Sequence, residues 1–169
     1  MIYNIMIIIS KATIDMAITM EYIDSVCFCK QIQYDSETFG YLINEGSSYV
    51  AIDTDCNKIV GYVVTTVINI DECPLELNSV IDIINIETIT ELSSIAILPE
   101  YRNKKISHML LEAIDKHLPM YLHVKNTNKI AQKLYEKNNW IYCANITDYY
   151  GKGEDALLMC KNVNKSIIL

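Results

Sequence analysis

The chain has 169 residues and a mass of 19.3 kDa, and 51% of its residues are hydrophobic. This length predicts one domain over residues 1–169 with a single sizeable core, and it excludes two independent domains. The net charge of −7 argues against nucleic acid as the main partner.

The start of the chain predicts a cytoplasmic protein rather than an exported one. The apolar run over residues 5–9 is short and has no basic residue before it, so it predicts a strand and not a signal peptide. No stretch approaches the roughly 20 apolar residues of a membrane span, so no membrane contact is expected. Six cysteines are therefore expected to be reduced, and their spacing predicts no metal site. These are Cys27, Cys29, Cys56, Cys73, Cys143 and Cys160.

Charge is distributed unevenly along the chain. Residues 1–100 carry 15 acidic and three basic residues, a balance of −12, whereas residues 101–169 carry six acidic and 11 basic residues, a balance of +5. The split is compatible with solvated faces that simply differ in sign. It also suits a phosphate-bearing cofactor on the basic part and a cationic substrate such as an amine on the acidic part.

The first half of the chain predicts two helices between strands. A strand over 2–9 precedes a helix over 12–29 and a shorter helix within 31–45. Runs over 48–52 and 59–68 then predict a hairpin, because the residues between them are turn formers. Pro74 forbids a continuous strand afterwards, so residues 71–82 are predicted to form an inserted loop or a short helix.

The second half alternates strands and helices. Its first strand is long and ends at Pro99. Apolar residues point to both faces of this strand, which is typical of the centre of a sheet. The predicted strands cover 84–98, 120–125, 140–146 and 155–160, and the predicted helices cover 104–118 and 128–138. The order β-α-α-β-β-β-α-β-α-β-β predicts a mixed α/β layer fold.

The strand-to-helix junction over residues 95–107 is the most informative segment. A buried strand turns there directly into an amphipathic helix, whose N-terminus presents unpaired N–H groups and a partial positive charge. Arg102, Lys104 and Lys105 add basic side chains to the same turn. This arrangement suits a pyrophosphate, although a basic helix start that faces water has the same pattern.

These residues resemble the GNAT superfamily of acetyl-CoA-dependent N-acetyltransferases. The acyl-CoA loop of that family follows the pattern Arg/Gln-x-x-Gly-x-Gly/Ala. Arg102 matches the first position, whereas Lys105 and Ser107 depart from the family at the two small-residue positions. Lysine in place of glycine restricts the backbone and adds a side chain where phosphates would bind.

Two further segments extend the resemblance to residues 90–161. Residues 122–128, Leu-His-Val-Lys-Asn-Thr-Asn, and the Ala-x-x-Leu-Tyr-Glu-Lys run over 131–137 resemble the second GNAT signature. Residues 149–156, Tyr-Tyr-Gly-x-Gly-Glu-Asp-Ala, are similar to N-terminal protein acetyltransferases of the NatA catalytic-subunit and ribosomal-protein alanine types. The resemblance implies a central mixed β-sheet flanked by helices, acetyl-CoA as co-substrate, and no metal.

The resemblance also implies which residues bind the cofactor. The strand before the loop would offer backbone groups to the pantetheine arm, and the loop would hold the pyrophosphate. The implied positions are Ile95, Ala96, Ile97, Arg102, Asn103, Lys104, Lys105, Ile106, Ser107, Asn128 and Tyr135. For Asn128 the sequence leaves two functions open, a helix cap or a contact to the CoA arm.

Catalytic roles follow from the same resemblance. Tyr135 stands where the family has the acid that protonates the leaving thiolate. Its position on the apolar face of the predicted helix would by itself indicate an aromatic residue of the core. Two residues compete as the base. His123 matches the catalytic Glu or His of N-terminal acetyltransferases, and Glu91 matches the glutamate of the histone acetyltransferase branch. Outside the motif, His123 would be a core histidine and Glu91 a strand-end salt-bridge partner. Tyr149 and Tyr150 would line the acceptor groove.

The acceptor class follows from the free energy of removing a proton. A free α-amine costs about 1 kcal/mol to deprotonate at pH 7, whereas lysine costs about 5 kcal/mol. We therefore expect an N-terminal α-amine of a protein or peptide as acceptor, with direct attack in a ternary complex. A small amine or a lysine is the alternative within the fold, and a catalytically weak module that binds CoA or a partner is the alternative outside it. An auxiliary subunit is possible.

Overall fold

The computed structural model describes residues 5–79, 87–114 and 118–163. These ranges contain seven strands and four α-helices, with several short 3-10 turns. The strands are β1 (Ile7–Lys11), β2 (Tyr49–Asp53), β3 (Lys58–Asn69), β4 (Thr88–Ile97), β5 (Met120–Lys125), β6 (Ile141–Ile146) and β7 (Ala156–Lys161). The helices are α1 (Ala17–Cys27), α2 (Ser36–Glu45), α3 (Ile106–Ala113) and α4 (Lys129–Lys137). None of these helices is long and apolar enough to cross a membrane.

The strands hydrogen-bond in the order β1-β2-β3-β4-β5-β7-β6. β4 and β5 run parallel, whereas β1 pairs antiparallel with β2, β2 with β3, β5 with β7, and β6 with β7. The mixed sheet and its helices confirm the predicted fold class. By internal contacts the chain divides into two compact units, and the prediction that residues 1–169 form a single domain stays a prediction.

The first unit comprises residues 1–66 and 94–115. Its core lies where α1 and α2 pack on β2 and β3, around the fully buried Met20, Ile23, Phe39 and Tyr62. Asp24 is also fully buried, because its carboxylate accepts hydrogen bonds from the Tyr62 hydroxyl and from the backbone N–H of Tyr34. Burial raises the pKa of the Asp24 carboxyl, although these hydrogen bonds oppose the shift.

The second unit comprises residues 67–93 and 116–169. One face of its strands is covered by the 3-10 turns Ile70–Glu72 and Leu75–Ser79, which occupy most of the segment predicted as an insertion. Leu77 and Cys73 from this cover pack against Ile89, Tyr121 and Leu158. Glu91 lies two residues after Ile89 on β4, and therefore on the same face.

Several predicted elements are longer than the observed ones. Within the helix predicted over 12–29, Ile14–Met16 form a 3-10 turn and α1 covers only Ala17–Cys27. The helix predicted over 104–118 ends at Ala113, because Ile114 is in an extended conformation with ψ of 150°. The strand predicted over 84–98 begins at Thr88, and the strand predicted over 2–9 is observed from Ile7. Residues 1–4, 80–86 and 115–117, which include parts of these predictions, lie outside the described residues.

The expectation that all six cysteines are reduced is wrong for two of them. Cys143 and Cys160 form a disulfide, and the other four are free. The cause is strand pairing: Cys160 lies opposite Ile141, and an irregularity between Tyr142 and Ala144 brings Cys143 towards it. Their Cα atoms are 6.4 Å apart, within the range that a disulfide spans.

Candidate active site

Glu91 and His123 lie together in the second unit. Glu91 on β4 is the register partner of Tyr121 on β5, and His123 follows two residues later on the same face. Nδ1 of His123 is 3.5 Å from Oε1 of Glu91, and the two side chains are 8% and 25% exposed. This is ion-pair distance without hydrogen-bond geometry, and Nδ1 is buried with no hydrogen bond to any described residue. Catalytic pairs are often this loosely aligned before substrate binds.

Tyr149 and Tyr150 surround the same imidazole. The ring of Tyr149 stacks on His123, with centroids 4.1 Å apart and planes at 18°. The Tyr150 hydroxyl donates a hydrogen bond of 3.2 Å to the backbone carbonyl of His123. Tyr149 is 46% exposed, so one side of its ring holds the histidine while much of the side chain faces solvent. The two predicted acceptor-groove tyrosines therefore lie at the predicted base.

The loop between β6 and β7 holds these tyrosines in place. Asp155 accepts hydrogen bonds at one carboxylate oxygen from the N–H of Asp148 and at the other from the side chain of Asn145, at 3.0 and 3.3 Å. Gly151 and Gly153 have φ of 123° and 79°, conformations that side-chain-bearing residues rarely adopt. The glycines and the aspartate of the motif therefore shape the loop that carries the two tyrosines.

The end of β5 is braced from two sides. Nζ of Lys125 lies 2.6 Å from Oε1 of Glu154, which ties β5 to the loop over residues 147–155 between β6 and β7, called the tyrosine loop. The buried amide of Gln132 donates hydrogen bonds to the backbone carbonyls of Lys125 and Asn126, at 3.1 and 2.9 Å. Gln132 has only a weak signal in the sequence, that of a polar residue on an apolar helical stripe.

Tyr121 is the residue that sequence reasoning missed. It is 3% exposed and meets His123 edge-on, with ring centroids 5.7 Å apart and planes at 85°. Burial raises the pKa of its phenol, and the charge of Glu91 and a hydrogen bond to Glu91 raise it further. Only strand register reveals this contact, because Tyr121 and Glu91 are far apart in sequence.

Asn128 and Tyr135 lie on or beside α4. The side-chain oxygen of Asn128 accepts a hydrogen bond of 3.1 Å from the N–H of Ala131, so Asn128 caps the helix. Tyr135 is 6% exposed and contacts Trp140 edge-on. Burial raises the pKa of the Tyr135 phenol, which keeps it protonated at neutral pH.

The predicted cofactor loop lies in the first unit, after β4. Leu98 N–H bonds the carbonyl of Val60 on β3, and Ala96 approaches β3 so closely that a side chain at Gly61 would lie 2.8 Å from its carbonyl oxygen. The tight β3–β4 contact fixes the backbone of Ile95, Ala96 and Ile97, the strand that the resemblance assigns to the pantetheine arm.

Lys105 occupies the position where the family pattern has glycine, and its backbone is left-handed, with φ of 63° and ψ of 10°. This conformation costs a side-chain-bearing residue about 1–2 kcal/mol, which explains the glycine of the family. No side chain caps α3, so the N–H groups of Ile106 and Ser107 at its first turn suit an anion. The loop therefore fits a pyrophosphate despite the substitution.

Arg102 and Lys104 have partners within the first unit. The Nε of Arg102 donates a hydrogen bond of 3.1 Å to the carbonyl of Ile97, and its Nη2 approaches the Cys27 sulfur. Lys104 Nζ lies 4.9 Å from the ring centre of Tyr101. Asn103, with φ of 62°, shares the left-handed conformation of Lys105. A phosphate contact from any of these side chains stays a prediction.

Comparison with known proteins identifies the family. The family described as "Acetyltransferase (GNAT) family" matches residues 17–140, which include the cofactor loop, Glu91, His123 and Tyr135. The chain belongs to the GNAT acetyltransferase family. The resemblance stated from the motifs is thereby confirmed.

Three known proteins are similar to this GNAT chain. An N-alpha-acetyltransferase of Saccharolobus solfataricus is 43% identical over 75 residues, which cover 40% of this chain and only 45% of that protein. Arabidopsis thaliana NAA60 in complex with a bisubstrate analogue is 20% identical, with a TM-score of 0.78 over 95% of this chain and 100% of that one. The ribosomal-protein-S18-alanine N-acetyltransferase of Escherichia coli is 17% identical, with a TM-score of 0.71 over 96% and 97%. The two structures share the GNAT fold.

Proposed function

We propose that the protein transfers acetyl from acetyl-CoA to the N-terminal α-amine of a protein or peptide. The observation that carries the proposal is the buried His123, paired with Glu91 and covered by Tyr149. The partial match to an N-alpha-acetyltransferase supports the acceptor class. The uncapped start of α3 and the family membership support acetyl-CoA as the donor.

His123 is proposed as the base and Glu91 as the group that orients it. With a proton on Nδ1 facing the carboxylate, Nε2 carries the lone pair that accepts a proton from the attacking amine, directly or through a water. The amine nitrogen forms a bond to the acetyl carbon as the bond from that carbon to sulfur breaks. Tyr135 is proposed to return a proton to the leaving thiolate, and no metal takes part.

The acceptor class can be tested with two matched peptides. One has a free α-amine and no lysine, and the other has the same sequence with a blocked N-terminus and one internal lysine. We expect mass spectrometry to find one added acetyl group on the first peptide alone. A polyamine and an aminoglycoside in the same assay should not compete. Transfer to lysine or to these amines instead would overturn the α-amine assignment and favour the alternative acceptors.

A catalytically weak binding module remains the second candidate, because Lys105 holds a strained conformation at the glycine position. We expect calorimetric titration to show that the natural protein binds acetyl-CoA with micromolar affinity and that it is active. Activity that appears only in Lys105→Gly would favour the binding module, and no binding to either protein would exclude the proposed donor.

The Lys105→Gly variant also tests whether the left-handed backbone at this position is strained. Relief of the left-handed strain should raise the free energy of unfolding by about 1 kcal/mol, or a few degrees in melting temperature. Lys104→Gly is the matched control, because Lys104 has no positive φ and gains only chain entropy on unfolding. The control should lower the melting temperature slightly, and equal shifts in both variants would contradict the assignment of strain to Lys105.

A further inference from the structure

Tyr121 belongs to none of the motifs that point to function, yet its side chain lies beside both proposed catalytic groups. It is the register partner of Glu91 across β4 and β5, and it precedes His123 by two residues on the same face of β5. The ring is almost fully buried and packs among Cys73, Leu77, Ile89 and Leu158. A phenylalanine would fill this apolar space equally well, so the hydroxyl needs its own explanation.

The hydroxyl is explained by Glu91. A buried hydroxyl without a partner is costly, and the carboxylate of Glu91, the register partner of Tyr121, is the acceptor placed beside it. An ionised carboxylate can only accept hydrogen bonds, so the phenol is the donor. A hydrogen bond to a charged acceptor is stronger than one between neutral groups and restricts the rotamer of the acceptor.

The ring contributes a second contact. It meets the imidazole of His123 edge-on, while Tyr149 stacks on an imidazole face. Two aromatic rings thus restrict the orientation of the imidazole. Its Nδ1 lies 3.5 Å from the carboxylate of Glu91, beside which Tyr121 also lies. One side chain therefore contacts both members of the pair.

We propose that Tyr121 is a positioning residue: its hydroxyl holds the Glu91 carboxylate beside Nδ1 of His123, which keeps the hydrogen on Nδ1 and the lone pair on Nε2. As a statement about catalysis this rests on the proposed function, because it assigns the exposed lone pair to the acceptor amine. As a statement about the histidine tautomer it depends only on Glu91, Tyr121 and His123.

The tautomer is measured directly by nitrogen-15 NMR of the histidine rings at mildly alkaline pH. The chain has three histidines, and the signals of His123 are identified by their loss in His123→Gln. We expect the Nδ1–H form in the natural protein and a clear shift towards the Nε2–H form in Tyr121→Phe. An unchanged tautomer in Tyr121→Phe would overturn the proposal. If Tyr121→Phe does not fold, Glu91→Gln must produce the same shift for the proposal to stand.

Kinetics supply the second readout. Tyr121→Phe should lower kcat by about tenfold to a hundredfold, the effect of losing a hydrogen bond to a charged group, with the KM for acetyl-CoA unchanged. In a Glu91→Gln background the same substitution should have little further effect, because Tyr121 acts through Glu91. Additive losses in the double variant would contradict this route.

Tyr142→Phe is the matched control. Tyr142 lies on β6 of the same unit and is 56% exposed, so loss of its hydroxyl should change neither the tautomer nor kcat. The two readouts also separate the two proposals. A shifted tautomer in a protein that acetylates no peptide would refute the proposed function and leave the positioning of His123 established. Normal peptide acetylation with an unshifted tautomer would refute the positioning alone.

Discussion

Tyr135 combines a buried phenol with a proposed task that requires a proton. Burial raises its pKa, so the proton is present across the neutral range, but the phenol is also a weaker acid than a free tyrosine. Protonation of a thiolate by such a group depends on a short, aligned contact rather than on acidity. The role is therefore sensitive to loss of the hydroxyl and insensitive to pH below about 10.

We expect Tyr135→Phe to lower kcat by about a hundredfold and to change the KM for acetyl-CoA far less, because general acid catalysis contributes to the transition state. Steady-state kinetics with a peptide acceptor measures both constants. Tyr41→Phe, on the exposed side of α2, is a control that should leave both unchanged. Equal changes in kcat and KM for Tyr135→Phe would count against the acid role and favour a packing role beside Trp140.

Single residues also show how far sequence can predict a site. His123, Tyr149 and Tyr150 were predicted from short motifs, and the structure brings them together. The two functions left open for Asn128 could not be separated by sequence, since a cap is defined by the hydrogen bond to Ala131. Tyr121 could not be predicted, because its importance depends on the register of a strand 30 residues away.

At the scale of elements, the tyrosine loop supports the two tyrosines of the proposed acceptor groove. Its conformation depends on the Asp155 carboxylate, which bonds Asp148 and Asn145, and on the Asp155 carbonyl, which accepts from the N–H of Asn126. The Lys125–Glu154 ion pair adds a second link, but both of its side chains are partly exposed. Exposed ion pairs contribute about 0–1 kcal/mol, so the aspartate dominates.

We expect Asp155→Ala to raise the KM for the peptide by about tenfold, because Tyr149 loses its support, and to lower the free energy of unfolding by about 1–3 kcal/mol. The KM for acetyl-CoA should stay the same. Glu154→Gln is the matched neighbour and should have a small effect on both quantities. Peptide kinetics and urea unfolding measure them, and an Asp155→Ala protein with natural peptide affinity would show that the loop does not contact the acceptor.

Element boundaries were predicted less well than element types. Each predicted strand and helix that the structure describes is present, because hydrophobic periodicity reports burial over several residues. The end of α3 was predicted too late, since Ile114 is apolar and buried although its backbone is extended. The cover over residues 70–79 has no periodicity, because 3-10 turns of three to five residues are too short to show one.

At the scale of the whole molecule, each compact unit contains a deeply buried tyrosine, Tyr62 in the first and Tyr135 in the second. Burial raises the pKa of both phenols. Above about pH 10 an unfolded chain loses these protons while the folded chain keeps them, so the unfolded state becomes relatively more stable. Stability should therefore fall as pH rises through the alkaline range.

Each such tyrosine should lower the free energy of unfolding by about 1.4 kcal/mol per pH unit above pH 10. Urea unfolding at several alkaline pH values should give a shallower slope for Tyr135→Phe than for the natural protein. Tyr142→Phe, which changes a tyrosine that is 56% exposed, is the control and should keep the natural slope. Identical slopes in all three proteins would refute the argument. A single transition in these curves would support the predicted single domain.

Composition predicted the class of protein but not its covalent structure. The reduced state of the cysteines was inferred from the start of the chain, whereas the Cys143–Cys160 disulfide follows from the pairing of β6 with β7. The basic charge of residues 101–169 and the cofactor-loop motif both pointed to the family that the comparison shows. They agree because Arg102, Lys104 and Lys105 supply basic charge within the motif itself.

The contact between Tyr135 and Trp140 gives the molecule an intrinsic optical reporter. Trp140 is the single tryptophan of the chain, it is 2% exposed, and its ring centre lies 5.9 Å from that of Tyr135. Emission excited at the red edge of protein absorption therefore comes from one indole beside the proposed acid. Quenching or a spectral shift on titration with donor or acceptor would follow events at Tyr135 in real time, without a label and without turnover.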